Sequence, residues 1–371
     1  MRVAVTGARG MLGTDMVSEL SSRGHEVVPV YHRRPDRFSH GPDKSLEYEL
    51  DITDLQAVRG LIGALRPDAV VNCAAYTRVD DAEANREAAF AVNALGPRNL
   101  ALACREVGAV LLHVSTDYIF GGDREGAYTI WDAPSPVNIY GISKLWGENY
   151  VRSLMSEYYI VRTSWLFGQY GRNFVQTMLE LGGKYGTHLA GREYRWYGPT
   201  DSVGQDSAQS AEQSSAPNSP QPLTAPPAEA ATPLGSQLLR HLPADSETSI
   251  TPLRVVSDQH GSPTYTVDLA KACADLLETR CFGIYHVTNQ GVTTWYEFAK
   301  VIFEKAGLAV DIRAVTSDEF PRPARRPKNS ALDPFPLRET IGYLLPPWED
   351  ALSRYLRQFG LGKDTELSWS P

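Results

Sequence analysis

Cysteine is scarce in this chain, and the cysteines present do not form the pattern of a disulfide framework or a metal site. The 371 residues contain four cysteines, with no CxxC pair and no histidine at the spacing of a zinc site. Three of the four lie in apolar helix or strand patterns, so we expect buried thiols in a reducing compartment. The four are Cys73, Cys104, Cys273 and Cys281.

Dense basic clusters and long apolar runs are also missing. The formal net charge is -8. The two basic stretches, at residues 31–34 and 325–326, are too short to bind a polyanion, so no nucleic-acid partner is predicted. No apolar run reaches the length of a membrane span, and a strand pattern begins at residue 2, which leaves no room for a signal peptide. We therefore expect a cytoplasmic protein with no membrane partner.

Residues 201–252 lack aromatic side chains and any sustained hydrophobic period. They are rich in Ser, Ala, Pro, Gln and Glu, and such a composition cannot bury enough apolar surface to offset the entropy of ordering. We expect residues 182–252 to be a disordered insertion that separates residues 1–181 from residues 253–371. A protein partner that binds through the insertion is left open.

Outside the insertion, strand and helix patterns alternate along the chain. The strand predicted at residues 69–72 is apolar throughout, as expected when helices cover both faces of a parallel sheet. The alternation predicts an α/β fold with a doubly wound parallel sheet of the Rossmann type. Residues 253–371 predict a smaller mixed α/β cap whose elements pack back on that sheet. Helices are predicted, among others, at residues 82–91 and 143–155.

Three glycines follow the first predicted strand at the spacing GxxGxxG. Gly7 permits a tight turn, Gly10 lets the backbone approach a pyrophosphate, and Gly13 lets the next helix pack on the strand. The N-terminus of that helix adds free N–H donors and a partial positive charge for phosphates. We therefore expect residues 1–181 to bind a dinucleotide, although turns need glycine for other reasons too.

The end of the second strand carries Arg33 and Arg34 and no carboxylate. An acidic side chain there would accept from the 2′-hydroxyl of the adenine ribose, whereas arginines suit a 2′-phosphate. NADPH is therefore favoured as cofactor, with NADH still possible and a solvated basic turn as the alternative. Asp51 and Ile52 follow the third strand, where Asp51 could accept from the adenine amine or simply cap a helix.

Tyr140 and Lys144 stand four residues apart, so a helix places them on one face. A tyrosine hydroxyl titrates near ~10 and is a poor proton shuttle at neutral pH unless a neighbouring ammonium lowers its pKa, which is the effect we expect from Lys144. Thr116 ends a predicted strand, at the edge where open α/β sheets bind ligands, and could donate to a substrate carbonyl. A strand-end hydroxyl that only satisfies the backbone is the alternative.

These residues resemble the extended short-chain dehydrogenases and, within them, the dTDP-4-dehydrorhamnose reductase family. The resemblance covers most of the chain on both sides of the insertion. It lies in residues 5–13 (VTGARGMLG), 71–80 (VNCAAYTRVD), 115–120 (STDYIF), 136–141 (PVNIYG), 143–145 (SKL), 162–168 (RTSWLFG), 258–265 (DQHGSPTY) and 325–330 (RRPKNS).

The resemblance implies NADPH-dependent reduction of the C4 keto group of dTDP-4-dehydro-L-rhamnose, with Tyr140 protonating the alkoxide. Thr116, Tyr140 and Lys144 would be catalytic. Cofactor contacts would come from Gly10, Met11, Leu12, Asp51, Ile52, Ala74, Ala75, Tyr76, Thr77 and Val114. The nucleotide-sugar would meet Asp117, Trp165, Arg325, Asn329 and Ser330. Some family members use magnesium at a dimer contact; a homodimer stays open here, and no carboxylate set in this sequence establishes the metal.

Two other kinds of protein share parts of this pattern. A nucleotide-sugar dehydratase needs an Asp-Glu pair after the catalytic threonine, and here Tyr118 follows Asp117. An epimerase is harder to distinguish, but residues 162–165 and 261–265 are not its pattern. The regulatory subunit of methionine adenosyltransferase resembles the same family without catalysis. Against that alternative, Thr116, Tyr140 and Lys144 are all present.

Overall fold

A seven-stranded parallel sheet forms the centre of the protein in the computed structural model, which describes residues 1–32, 48–185, 187–188 and 252–361. Six strands are numbered in chain order: Arg2–Thr6 (β1), Glu26–Tyr31 (β2), Tyr48–Glu49 (β3), Ala69–Asn72 (β4), Val110–Thr116 (β5) and Tyr158–Thr163 (β6). The order across the sheet is β3, β2, β1, β4, β5, β6 and then the edge strand Gly283–His286. The predicted doubly wound parallel sheet is therefore confirmed.

Helices cover both faces of this sheet. The first seven are Met11–Ser22 (α1), Leu55–Leu65 (α2), Val79–Ala84 (α3), Arg86–Phe90 (α4), Gly96–Val107 (α5), Ile139–Leu154 (α6) and Phe174–Tyr185 (α7). A π-helical turn at Ala91–Leu95 and a 3₁₀ turn at Asp117–Ile119 lie between them. Later helices span Thr266–Thr279, Trp295–Ala306, Leu337–Ile341 and Trp348–Arg357. The helix predicted at residues 82–91 is thus divided between α3 and α4.

Alternation along β1 builds a core on each face of the sheet. Val3 and Val5 point to the side covered by α1 and helix Thr266–Thr279, while Ala4 points to the side covered by α2 and α5. All four residues of β4 are buried, as its continuous apolar sequence predicts. The two cores fix the sheet and hold the ends of β1, β4 and β5 side by side.

Residues after 252 contribute to the central sheet and also build a separate core. Strand Gly283–His286 pairs in parallel with β6, and helix Thr266–Thr279 packs on α1. This separate core, distinct from the two cores of the sheet, contains Phe167, Phe298 and Tyr355. Short strands complete this part as pairs: Leu166–Phe167 with Thr264–Tyr265, Thr187–His188 with Leu308–Ala309, Leu253–Val256 with Ile312–Val315, and His260–Gly261 with Thr293–Thr294.

The predicted division at residues 1–181, 182–252 and 253–371 stays a prediction. Most of the predicted insertion, at residues 189–251, lies outside the described residues, as do Arg33 and Arg34.

The start of α6 positions Tyr140, the predicted proton donor. Asn138 caps this helix, because its Oδ1 accepts from the Gly141 N–H at 2.8 Å. The helix therefore begins at Ile139, four residues before the predicted start, and Tyr140 lies in its first turn. Gly141 lets the first turn of α6 pack closely on the 3₁₀ turn at Asp117–Ile119, since a Cβ on Gly141 would lie 2.1 Å from the carbonyl oxygen of Tyr118.

Candidate active site

The glycine turn after β1 is shaped by steric necessity. Gly7 adopts a φ of 68°, and its carbonyl accepts from the Gly10 N–H at 2.8 Å. A Cβ on Gly13 would lie 2.1 Å from the Gly7 carbonyl oxygen, so α1 can start here only with glycine at that position. The turn thus exposes backbone at the N-terminus of α1, the arrangement that suits a pyrophosphate.

The loop after β4 packs directly on this turn. A Cβ on Gly7 would lie 2.7 Å from the backbone nitrogen of Ala74, so the two segments approach at backbone distance. Asn93 then fixes the loop, because its side chain accepts from the Tyr76 N–H at 2.8 Å and donates to the Tyr76 carbonyl at 3.0 Å. The same amide donates to the Ser143 hydroxyl on α6 at 3.0 Å. One buried amide therefore links the predicted nicotinamide loop to the helix of Tyr140.

Thr116, Tyr140 and Lys144 come together at the carboxyl end of β5. The Thr116 side chain hydrogen-bonds to the Tyr140 phenol, and Nζ of Lys144 donates to the Val114 carbonyl at 2.6 Å. Lys144 is 2% exposed. The ring of Tyr118 meets that of Tyr140 edge to face, with the centroids 5.9 Å apart. The structure thus gathers the three predicted catalytic side chains.

The electrostatics of this group differ from the sequence-based expectation. Burial raises the pKa of Tyr140 to about 12, and the hydrogen bond with Thr116 offsets only part of that effect. Burial lowers the pKa of Lys144 to about 8, against the opposing charges of Glu148 and Cys73. The prediction that Lys144 lowers the pKa of Tyr140 is wrong here, since the ammonium is directed at the Val114 carbonyl and burial dominates.

A buried ion pair lies one helical turn below Lys144. Glu148 and Arg162 bond at 2.7 Å, and both side chains are almost completely buried. The Ser115 hydroxyl donates to the same carboxylate at 2.6 Å, and Arg162 also contacts the ring of His286 at 3.4 Å. This cluster ties β5, β6 and α6 together beneath the site.

A cavity of about 570 Å³ is joined to the catalytic group by Tyr118, which lines the cavity and contacts the ring of Tyr140. Its wall includes Trp165, whose backbone has a φ of 49°, a strained value for a large side chain. The indole of Trp165 stacks on that of Trp295, with centroids 3.6 Å apart and planes at 8°. Gly261 packs against the same indole, because a Cβ there would lie 2.5 Å from it. Trp165 is therefore held in one orientation at the cavity wall.

Two neighbouring arginines of the C-terminal part, Arg322 and Arg326, line this cavity. Arg326 forms a two-pronged ion pair with the buried Asp80, including a hydrogen bond of 2.9 Å. Arg322 lines the same wall; burial lowers its pKa, Asp80 opposes that effect and the Arg326 guanidinium adds to it. In the described part of the chain the cavity lining holds five arginines and two aspartates, which leaves an excess of positive charge there.

The remaining predicted site residues have the following places. Met11 and Leu12 open α1, Asp51 is exposed and accepts from the Thr53 N–H at 2.9 Å, and Ile52 is buried. Ala75 is half-buried and Thr77 exposed at the cavity rim.

Among the residues predicted to meet the nucleotide-sugar, Asn329 donates to the carbonyls of Arg124 and Gly126, and the buried Ser330 lies beside Asp117. Arg325 is exposed and does not line the cavity.

Comparison with known proteins decides the family. A model described as "RmlD substrate binding domain" matches residues 1–203 and 235–361. The chain belongs to this family. A dTDP-4-dehydrorhamnose reductase from Streptomyces griseus is 36% identical over 339 residues, 90% of this chain and 85% of that protein. A dTDP-4-keto-6-deoxy-D-glucose reductase from Streptomyces niveus is 32% identical over 95% of this chain and 96% of that protein.

A solved structure of the RmlD family supports the same assignment. The dTDP-4-dehydrorhamnose reductase from Bacillus anthracis str. Ames, solved in complex with NADP, is 35% identical and has a TM-score of 0.72, with 96% of this chain and 99% of that chain covered. The resemblance predicted from the sequence motifs is therefore confirmed at the level of the family.

Several residues around this RmlD-type site were not predicted from sequence. Asn93, Asp80, Arg322, Arg326 and Trp295 are the main ones. The only available signal for Asn93 was an amide within an otherwise apolar helical pattern, and Trp295 carried none, because it reaches Trp165 from 130 residues away. Among the described residues, no group of three or more His, Cys, Asp or Glu side chains could hold a metal. Nor is any helix in the described ranges long and apolar enough to cross a bilayer.

Proposed function

We propose that the protein is a nicotinamide-dependent reductase that uses NADPH to reduce the C4 keto group of dTDP-4-dehydro-L-rhamnose. The observation that carries this proposal is the gathering of Thr116, Tyr140 and Lys144 at the carboxyl end of β5. The ring of Tyr118 joins this group to the cavity wall, and the Asn93 amide joins α6 to the loop that packs on the glycine turn. A substrate carbonyl at the inner end of the cavity would lie close to the hydroxyl groups of Thr116 and Tyr140. Residues 74–77, the predicted nicotinamide loop, would lie beside it. Family membership and the relatives named above support the same reaction.

The glycine turn fits the cofactor. At Gly7 and Gly13 side chains would collide with the backbone, and the exposed N-terminus of α1 offers N–H groups for a pyrophosphate. We assign the nicotinamide side to residues 74–77 and the adenine side to Asp51 and Ile52. The 2′-phosphate would go to Arg33 and Arg34, which favours NADPH over NADH. When bound, the cofactor supplies the hydride.

Tyr140 is suited to be the proton donor. With a pKa of about 12 its phenol is fully protonated at neutral pH, so it holds the proton that the alkoxide needs. The charge that develops on the phenolate would be stabilised by the Thr116 hydrogen bond and by the Lys144 ammonium, once a ligand draws that ammonium from the Val114 carbonyl. Thr116 would also orient the Tyr140 phenol towards the substrate carbonyl.

The cavity suits a nucleoside diphosphate attached to a sugar. Arg322 and Arg326 supply positive charge for the diphosphate, and the Asp80 carboxylate holds Arg326 in place. Trp165 offers an apolar face to the deoxysugar, and Trp295 keeps it there. Arg325 does not line the cavity, so we assign the diphosphate to its neighbours Arg322 and Arg326 instead.

A second substrate deserves a direct test. The Streptomyces niveus relative carries the name of a reductase for dTDP-4-keto-6-deoxy-D-glucose, which bears its keto group at the same carbon. The same proton donor would serve either sugar, so the cavity wall around Trp165 must make the choice.

The test is oxidation of NADPH, followed by absorbance at the nicotinamide band, with each keto-sugar. We expect turnover with dTDP-4-dehydro-L-rhamnose, slower turnover with its UDP counterpart and with dTDP-4-keto-6-deoxy-D-glucose, and lower efficiency with NADH. Parallel reactions with EDTA and with added magnesium show whether a metal matters. A folded protein that binds NADPH and oxidises it with none of these sugars would contradict the proposal and favour a non-catalytic binding role.

A further inference from the structure

The Thr116 hydroxyl has three polar neighbours and only one proton. Its oxygen lies 3.0 Å from Oδ1 of Asp117 and 3.1 Å from the Tyr118 N–H, and it also hydrogen-bonds to the Tyr140 phenol. A hydroxyl donates once and accepts twice. The protonation of its neighbours therefore decides which way each of these bonds points.

An ionised Asp117 directs the protons away from a substrate. A carboxylate only accepts, so Thr116 must donate to Asp117, and its two lone pairs accept from the Tyr118 N–H and the Tyr140 phenol. In this arrangement the phenol proton of Tyr140 points into the protein. The proton that reduction requires is then engaged with Thr116.

A protonated Asp117 reverses the chain. Its carboxylic acid can donate to Thr116, whose lone pairs then accept from Asp117 and Tyr118, and whose own proton turns to the oxygen of Tyr140. The Tyr140 proton is then free to point at a carbonyl in the cavity. The Thr116 donation would also stabilise the phenolate left after proton transfer.

The surroundings of Asp117 favour the neutral form. The residue is 3% exposed, and its Oδ2 is buried with no hydrogen-bond partner in the part of the chain that the structure describes. The titratable side chains that face it are Tyr118 and Tyr140, with Ser330 beside them, and none is a cation. The nearest guanidinium, Arg326, bonds instead to Asp80 and Tyr118. A buried carboxylate with one unpartnered oxygen and no facing cation is costly, so a proton on it is expected.

We propose that Asp117 is a positioning residue that acts in its protonated form, because it turns the hydrogen bonds of Thr116 and Tyr140 towards the substrate carbonyl. This inference rests on the proposed reductase function, and it gives Asp117 a task beyond the sugar contact that the family resemblance implies. Consistent with it, burial raises the pKa of Asp117 to about 7, against hydrogen bonding from Ser330, from Thr116 and from the backbone of Asp117 and Tyr118.

The consequence is a dependence of kcat on pH with a definite sign. The active form carries the proton, so kcat should fall as pH rises through about 7, by about tenfold per pH unit beyond it. Asp117→Asn keeps a donor for Thr116 but cannot ionise. In this variant the decline of kcat should begin about one pH unit higher. It would then follow the loss of the proton from Lys144, whose pKa burial lowers to about 8.

The experiment compares kcat against pH for the wild-type protein, Asp117→Asn and Glu304→Gln, with NADPH and the best keto-sugar. Glu304 is an exposed carboxylate on helix Trp295–Ala306 that does not line the cavity, so its variant should keep the wild-type midpoint. Ser330→Ala is a second, independent test: it removes a hydrogen bond that favours the ionised carboxyl, and should move the midpoint to higher pH. NADPH dissociation constants confirm that each variant is folded.

The outcomes separate this inference from the proposed function. A midpoint that shifts in Asp117→Asn and in Ser330→Ala, but not in Glu304→Gln, supports it. If Asp117 only contacts the sugar, Asp117→Asn raises KM and leaves the midpoint of kcat unchanged, and the inference is overturned while the reductase stands. No turnover by the wild-type protein at any pH would overturn the reductase function and this inference with it.

Discussion

The ammonium of Lys144 donates to the carbonyl oxygen of Val114 across 2.6 Å, two residues before Thr116 on the same strand. One charged hydrogen bond thus joins α6 to β5 at the level of the site. The same burial that makes this bond strong lowers the pKa of Lys144 from 10.5 to about 8.

Lys144→Met should therefore change both turnover and the pH dependence of stability. Without the ammonium, we expect turnover to fall by about 10²–10⁴-fold. Between pH 8 and 10.5 the unfolded wild-type chain holds a proton that the folded chain lacks, so this group makes the free energy of unfolding rise with pH in that window. Urea titrations at both ends of the window should show the rise in the wild-type protein and in Lys271→Met, an exposed control, and its reduction in Lys144→Met.

The glycine turn allows a prediction with a matched control. Gly13→Ala places a methyl group 2.1 Å from the Gly7 carbonyl oxygen, so the turn must open and NADPH binding should be lost or weakened by more than about tenfold. Gly60→Ala, in the middle of α2 with nothing near its Cβ position, should be neutral or stabilising by about 0.5–1 kcal/mol. Equal NADPH affinity in both variants, measured by fluorescence titration, would show that the turn does not bind the cofactor.

Removing one partner of the buried pair Glu148–Arg162 should strongly destabilise the protein. Arg162→Met leaves Glu148 buried without its partner, and we expect a loss of about 3–5 kcal/mol in the free energy of unfolding. Arg280→Met breaks an exposed pair with Glu157 at 3.8 Å and should cost less than about 1 kcal/mol. Chemical denaturation of the two variants gives both numbers. Similar losses would mean that the charge at Glu148 is screened after all.

The arginines of the C-terminal loop can be distinguished one by one. Arg322→Ala should raise KM for the nucleotide-sugar about 10–100-fold, the effect of losing one charged hydrogen bond, without changing NADPH affinity. Arg325→Ala, three residues away and exposed, should have little effect on either quantity. A larger effect on KM from Arg325 than from Arg322 would reverse the assignment of the diphosphate.

The sequence was sufficient for the sheet and for the three central side chains. Apolar strands such as β4 and the glycine spacing are local patterns, and the carboxyl ends of parallel strands meet at one edge, which is why Thr116 could be placed near Tyr140. The start of α6 was missed by four residues, although Asn138 offered the cap that sets it.

The rest of the site depends on contacts that no local pattern contains. Arg326 rather than Arg325 faces the cavity because an irregular loop has no period from which its orientation could be inferred. Asp80 and Trp295 reach the site from distant parts of the chain. The pKa of Tyr140 was predicted in the wrong direction because it depends on where Nζ of Lys144 points, which the four-residue spacing does not fix.

The most direct test of the central claim is a comparison of the wild-type protein with Tyr140→Phe. Turnover of dTDP-4-dehydro-L-rhamnose and the NADPH dissociation constant should both be measured for each. We expect turnover to fall by at least about 10²-fold with the dissociation constant nearly unchanged, because only the proton donor is removed. Turnover that persists in Tyr140→Phe would show that the proton comes from another group and would contradict the account.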